Sequence, residues 1–399
     1  MGAKGEAAEN AAPTPTAASG ETSFEFLAFR GGPFYDLQKR FALLEDHALR
    51  AGPRALIFTA LAWLVPLVLS ITDPRSYLAD PGVWAKFLIA VGAFLLAEQQ
   101  VECGLRMKLG QFVRAPLIAP HSLPAAGDAV AMALRRRDSA LAEAVCLGFG
   151  IMLSVVAFTG ISPAASWAVD PAPDGPRITP AGWWALFVSL PLFGFLFLRG
   201  LWRHLVWALL LRKIATLDLR LVATHPDGNG GLAFLADYPN AYMLSVLGAS
   251  SAVAAAVAKH LAHETISMTT FTSITGGWLA IVLALFVLPL AAFSSPLVRL
   301  KESGVLVCGA QATRFQRAAE RKALGANVVA DSPEERDEKE ETSDVSKQFD
   351  AFRKLSGVLV NRFAVLPVAA AALLPFAIAG AMKLPFKEVF SVLKKLLLL

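Results

Sequence analysis

The sequence predicts an all-α fold: a polytopic transmembrane helical bundle of about seven spans, carrying short cytoplasmic helices. Three observations lead there. Hydrophobic residues make up 55% of the 399 and charged residues only 17%, against about 25% charged in a soluble globular chain. The mean hydropathy is +0.52, and the apolar residues are bunched into long runs. The basic residues concentrate in alternate loops between those runs, as membrane topology requires. The net charge of +5 thus follows from topology and gives no argument for nucleic acid. The expected partner is the lipid bilayer.

The elements follow in order. Residues 1–22 are rich in Ala, Pro, Gly, Thr and Glu and cannot bury enough surface to offset their chain entropy, so a disordered tail is expected. Residues 23–54 are expected as a cytoplasmic or interfacial helical segment. From Phe34 onward, Leu37, Phe41 and Leu44 share a helical face with Lys39 and Arg40 off it. That pattern suits a helix on the inner leaflet, or equally a surface helix packed on the loops.

Residues 55–294 hold six apolar segments, at 55–71, 83–101, 143–161, 182–200, 241–259 and 277–294, and a seventh lies at 363–382. Each is close to the ~20 residues that cross the hydrocarbon core as a helix. A β-barrel would instead need short alternating strands. Pro66, Pro191, Pro289, Pro367 and Pro375 fall inside segments, where kinks are expected and neighbouring helices can satisfy the freed carbonyls.

Orientation comes from the cations. Arg30, Lys39, Arg40, Arg50 and Arg54 precede the first segment, Arg106 to Arg137 follow the second, Arg203 to Arg220 the fourth, and Arg299 to Arg362 the sixth. The alternate loops hold little beyond Arg75, Arg177 and Lys259. This predicts a multi-pass membrane protein with a cytoplasmic N-terminus. No removable signal peptide is expected, and the first span serves for insertion.

Residues 295–362 form a cytoplasmic loop, expected as a helix from Gly304 to Gly325, an acidic linker over 331–344, and a second helix over 349–362. This is too little chain for an independent catalytic domain, and no transporter-like internal repeat is visible. Residues 363–399 form the last span and an amphipathic tail with Phe386, Val389, Phe390, Leu393 and Leu397 along one stripe. Lys383, Lys387, Lys394 and Lys395 in that tail disagree with an external C-terminus. A segment re-entrant at Pro367 and Pro375, giving six spans, is the alternative; its length and lack of charge favour seven.

Three constellations could carry chemistry. The first is Thr224-His225-Pro226-Asp227-Gly228-Asn229-Gly230-Gly231-Leu232, within the loop 217–239. His-Pro-Asp matches the J-domain tripeptide, but about 30 residues between spans cannot hold a domain that needs about 70. On the calcium-loop register, His225 and Ala236 replace two required carboxylates. Two readings stay open. Either a glycine-rich turn forms an anion-binding nest near Arg212 or Arg220, with His225, Asp227, Asn229, Gly230 and Gly231 as a ligand or ion site. Or Asp227 caps a short helix beginning near Gly230 as the chain re-enters the membrane.

The second pairs Glu98 and Glu102 on the second span with Arg199 and Arg203 on the fourth. A spacing of four puts each pair on one helical face, so interhelical ion pairs are expected, as structural pairing or around a wet cavity. The third, His260, His263 and Glu264, reads as a solvated helix end, and no metal site is expected. Cys103, Cys146 and Cys308 form no paired motif. There is no Walker lysine, no nucleophile elbow and no lysine in mid-span for a Schiff base, so no cofactor is called for.

Several stretches resemble a family of uncharacterised bacterial multi-span membrane proteins marked by Thr-His-Pro-Asp-x-x-Gly-Gly-Leu. They are Leu217-Asp218-Leu219-Arg220-Leu221 leading into Thr224–Leu232, Ser189-Leu190-Pro191-Leu192-Phe193 with Arg199, Trp202 and Arg203, Ala97-Glu98 with Glu102, and Arg137-Asp138-Ser139. The resemblance covers most of residues 30–399. The chain departs from the family where Ala233-Phe234-Leu235 stands for the usual Gly-Phe-Leu, and in the acidic run of the long loop. It implies the architecture and the choice of motif, and no activity.

The function expected is a non-enzymatic transporter, channel or sensor with a small ligand or ion at a cytoplasmic-face site. The alternatives are a membrane-embedded enzyme on a lipid or phosphate-bearing substrate, with His225 and Asp227 as acid and base, and a structural or assembly protein.

Overall fold

In hydrocarbon, a chain can satisfy its backbone N–H and C=O groups only within a helix or a closed barrel. Each of the seven apolar runs forms a helix. In the computed structural model, which describes residues 24–45, 49–71, 73–159, 166–172, 175–263, 267–325, 345–360, 362–382 and 384–398, the fold is an all-α polytopic bundle. Its long apolar helices are span 1 (Ala51–Leu69), span 2 (Val83–Arg114), span 3 (Ala140–Thr159), span 4 (Pro180–Ile214), span 5 (Ala233–Leu261), span 6 (Met268–Ala291) and span 7 (Phe363–Ala381).

Spans 2, 4, 5 and 7 bury half or more of their apolar windows, against 22%, 22% and 33% for spans 1, 3 and 6, so the first four are the inner helices. Span 3 lies along span 4, span 5 along spans 2 and 7, and span 1 along span 2. Gly150 and Gly194 bring spans 3 and 4 together: a Cβ on Gly194 would sit 3.0 Å from the Gly150 Cα. Small residues allow this approach, and close packing drives helix association in lipid.

The prolines disturb the spans, and the freed carbonyls find partners. Pro66 cannot donate to Ala62, and residues 60–64 widen into a π-helical turn. The Ala62 carbonyl accepts from Ser189 Oγ at 2.7 Å, and its neighbours Leu61 and Trp63 accept from Trp184 Nε1 at 2.9 Å and Tyr77 OH at 2.7 Å. In span 6, Pro289 frees the Leu285 carbonyl, which accepts from His204 Nε2 at 3.0 Å. Span 7 holds Pro367 and Pro375 within one unbroken helix of 20 residues, Arg362–Ala381. A re-entrant turn would interrupt it, so seven spans fit and six do not.

The two ends of the bundle differ. One end, here the basic face, carries the helix Leu123–Arg137, the loop of His225 and a helical pair, Ser294–Leu324 with Val345–Lys354. The other, the hairpin face, carries the strands β1 (Val169–Ala172) and β2 (Gly175–Ile178), an antiparallel ladder that the periodicity does not reveal. There Tyr77 and Trp167 meet edge to face at 5.2 Å. The tail helix Phe386–Leu398 packs Val389 against Phe271 and Phe376, over the ends of spans 5, 6 and 7.

Several boundaries differ from expectation. The loop helix starts at Ser294 rather than Gly304, following span 6 with a short break at Ala292–Phe293, because Leu297 is buried against the bundle. The second loop helix is Val345–Lys354, and 355–360 is not helical; Ser356 instead donates its N–H to the Gly228 carbonyl at 2.9 Å. The interfacial helix is only Pro33–Arg40, leaving Leu37 and Phe41 exposed. The segment before it, expected as helical and interfacial, has no helix over 24–32, and its Phe26 and Ala28 are fully buried among spans 2 and 4. The tail 1–22 and the acidic run 331–344 lie outside the described residues.

Candidate functional site

The His225 loop is a closed turn. The chain leaves span 4, pairs briefly with 117–119 through Ala119 N–H to Asp218 O at 2.9 Å and Arg220 N–H to Leu117 O at 2.7 Å, then turns. Gly228, Gly230 and Gly231 take positive φ values of 66°, 67° and 96°, a region glycine enters without strain. The Asp227 carboxylate fills the turn's interior. Oδ1 accepts the N–H of Asn229 at 2.9 Å and of Gly231 at 3.1 Å, and Oδ2 that of Ala233 at 3.0 Å. His225 Nδ1 lies 2.9 Å from Oδ1.

Partial burial works against ionisation of Asp227, but the N–H groups of Ala233, Asn229 and Gly231 and the His225 ring together outweigh it and hold the carboxyl below its ordinary range. The N–H groups that an anion nest would offer are thus engaged by the chain's own carboxylate. Asp227 Oδ2 thereby takes the first N–H of the short helix Ala233–Tyr242, which begins three residues after the expected start near Gly230. The His225 side chain stays 46% exposed.

The charged pairs form something larger than their spacing suggests. Arg199 joins Glu98 at 2.7 Å, as expected, but it also joins Glu143 of span 3 at 3.0 Å. Glu143 takes Arg203 at 2.8 Å, and Glu98 takes Arg54 of span 1 at 2.6 Å. The result is an unbroken chain, Arg54–Glu98–Arg199–Glu143–Arg203, across spans 1 to 4, every side chain of it 4% exposed or less. Glu102 does not reach Arg203; it pairs with Arg30 at 2.7 Å.

At ~1.5 Å per residue, Glu98 lies roughly 22 Å and Arg199 roughly 28 Å from the hairpin-face ends of their spans, which places the lattice at the basic-side edge of a ~30 Å core. Charges taken out of water there cost several kcal/mol each unless paired, and here each meets opposite charge.

The N-terminal segment completes the lattice. The Phe29 N–H donates to Glu102 at 3.2 Å and the Phe34 N–H to Glu143 at 2.8 Å. The Gly31 carbonyl accepts from Arg203 at 2.9 Å, and that of Leu27 from Arg137. Gly31 and Gly32 have φ values of 137° and 90°, and a Cβ on Gly32 would sit 2.8 Å from the Glu143 carboxylate. Only glycines let the backbone pass this close to the charges. The Arg199 guanidinium stacks over Phe29 and Phe34 at 5.5 and 5.1 Å.

Sequence reading found Glu98, Glu102, Arg199 and Arg203, but not Arg54, Glu143, Arg137 or the segment 24–34. Arg54 and Glu143 sit at the edges of apolar runs, where a charge reads as a topology flank. Both lie a turn inside the helices Ala51–Leu69 and Ala140–Thr159, which begin three to four residues before the apolar runs do.

Below the segment lies a cavity of about 160 Å³, lined by Phe29 and Glu98 above and by residues of spans 2, 4, 5 and 6, not by His225 or Asp227. A wider groove of about 1010 Å³ runs between spans 2, 5 and 7 past Cys103, Asp237 and Asn240. His260 is exposed, while Glu264 and the His263 side chain lie outside the described residues. Among the described residues no three His, Cys, Asp or Glu side chains are grouped to hold a metal. Compared with family models, with curated proteins and with solved structures, the chain matches none.

Proposed function

We propose that this is a non-enzymatic membrane protein of the transporter, channel or sensor class, and that residues 24–34 are its gate. The observation that carries the reading is the seating of that segment. Backbone groups of Leu27, Phe29, Gly31 and Phe34 are gripped by Arg137, Glu102, Arg203 and Glu143. A segment that only had to pack would bury apolar side chains. This one also meets charges that need polar partners at the membrane edge, so its release and reseating exchange one set of hydrogen bonds for water. In this reading the basic face is cytoplasmic by the distribution of cations, the N-terminus is inside, and the membrane is a bacterial inner membrane. Membership of the family marked by the His-Pro-Asp loop is part of the proposal. The engagement of both Asp227 oxygens by backbone N–H groups weighs against His225 and Asp227 as an acid–base pair.

Cysteine labelling tests the gate. The three native cysteines are replaced and Ser245, in the cavity wall, becomes Ser245→Cys. A membrane-impermeant maleimide is expected to leave this residue unlabelled in the parent and to label it in Gly31→Val, whose Cβ collides with Asp138. Equal labelling in both folded proteins overturns the reading. A second cysteine at His225→Cys should label only from the cytoplasmic side; labelling from outside the cell reverses the orientation.

A further inference from the structure

We infer that the cavity between spans 2, 4, 5 and 6 is a binding site for a bilayer-dissolved amphiphile whose head is a hydroxyl group, a lipophilic alcohol or phenol. The inference does not depend on the gate.

Its walls are mostly apolar: Phe29, Phe94, Leu196, Val282 and Phe286 among others. Glu98, Ser245 and Trp278 also line it, and two further polar side chains stand at one end. His204 and Tyr242 both line the cavity, are 4% and 5% exposed, and meet ring edge to face at 5.0 Å. The Tyr242 hydroxyl and the His204 Nδ1 are buried without any hydrogen-bond partner. An orphaned buried polar atom costs about 1–3 kcal/mol, and two side by side in one cavity point to a missing partner.

The chemistry of that partner follows from span 6. Pro289 frees the Leu285 carbonyl, which can only accept, so His204 Nε2 carries the proton that it donates at 3.0 Å. The neutral ring then holds its lone pair at Nδ1. A ligand must therefore offer a donor to His204 and an acceptor to Tyr242. One hydroxyl does both. A carbonyl or an ether satisfies only the tyrosine.

The shape of the site agrees with a bilayer origin. The rim includes Leu201 of span 4 and Ile281 of span 6, which are 39% and 62% exposed on the outer apolar surface of the bundle. Measured from the hairpin-face ends of their spans at ~1.5 Å per residue, Ile281 stands roughly 20 Å and Tyr242 roughly 28 Å along. The cavity thus occupies the basic-side part of a ~30 Å core, with Ile281 at its deep end, at the depth of Glu98, and Tyr242 and Leu201, the latter roughly 32 Å along, toward its edge. A cavity of about 160 Å³ has the size of a ring or a short chain end, with the remainder of the ligand left in the bilayer.

The test uses the full chain in lipid nanodiscs with two probes, 4-hexylphenol and its methyl ether 4-hexylanisole, read by the shift in melting temperature. The phenol is expected to raise Tm in a saturable manner and the ether to leave it unchanged. Tyr242→Phe removes a hydroxyl with no protein partner, so without probe its Tm should equal or exceed that of the parent. With phenol its affinity should fall about three- to tenfold. Equal shifts by the two probes, no shift by either, or a lowered Tm for Tyr242→Phe without probe would each overturn the assignment. The last result would mean that water or protein already satisfies the hydroxyl.

Discussion

Asp227 and His225 stand next to each other and differ in what they hold. Asp227 accepts three backbone N–H groups, so Asp227→Ala leaves three donors of a tight turn unpaired and should cost about 1–2 kcal/mol, the upper range for a lost cap. His225→Ala removes one half-exposed partner and should cost under about 1 kcal/mol. Thermal unfolding in detergent ranks the two, and a reversed order would mean that the histidine holds the turn. The pH dependence has a definite sign. Because the folded carboxyl sits below its ordinary value, Asp227 contributes its full stability above the unfolded carboxylate pKa. That contribution fades as pH falls through the depressed folded value. Asp227→Asn should therefore flatten the acid limb of the stability profile and leave the neutral limb parallel to the parent. Of this site, the turn residues were legible in the sequence, because Pro, Asp, Asn and Gly each favour turns for a local reason. A cap by Asp227 was one of the two readings the sequence left open; that its Oδ2 reaches Ala233, six residues on, was not legible.

At the scale of the helix, span 1 shows how a proline is accommodated. Pro66 was visible as a break in the sequence, and so was the need for a partner to the carbonyl four residues earlier. That the partner is Ser189 of span 4 was not visible, because it depends on which helix lies alongside. Ser189→Ala should leave the Ala62 carbonyl orphaned in a fully buried position and lower stability by about 1–2 kcal/mol, whereas Ser70→Ala, whose hydroxyl bonds within its own helix at 2.8 Å, should cost less. The charge lattice makes a second prediction on the same scale. Glu98 holds Arg54 and Arg199 at once. Glu98→Gln keeps the shape but leaves two buried guanidinium groups short of charge, at a cost of about 3–5 kcal/mol. Glu102→Gln, whose partner Arg30 is 27% exposed, should cost less, as chemical unfolding of both variants would establish. Near-equal effects would show that the lattice is not one unit.

For the whole molecule, the lattice and the N-terminal segment are one device. Spans 1 to 4 meet in it, and the segment before span 1 returns through it to lie between spans 2 and 4. Removing residues 24–32 should therefore loosen the contacts of four spans at once. Hydrogen exchange should show raised rates at the basic-side ends of spans 1 to 4, with span 7 unchanged; uniform exchange along all seven would mean that the segment only covers the surface.

The sequence alone determined the membrane class, a count of six or seven spans with their approximate bounds, the turn at His225 and three charges of the lattice, Glu98, Arg199 and Arg203. Each of these depends on neighbours in the chain: run length against bilayer thickness, helical spacing, and the conformational bias of Gly and Pro. Tertiary structure alone decided that Glu143 and Arg54 join the lattice, that Phe26, Ala28 and Phe29 of the N-terminal segment are buried in the bundle, and that His204 and Tyr242 share a cavity. Those facts join residues tens to hundreds of positions apart. An ionisable group beside an apolar run has the same local pattern whether it faces lipid headgroups or another helix, and only packing distinguishes the two.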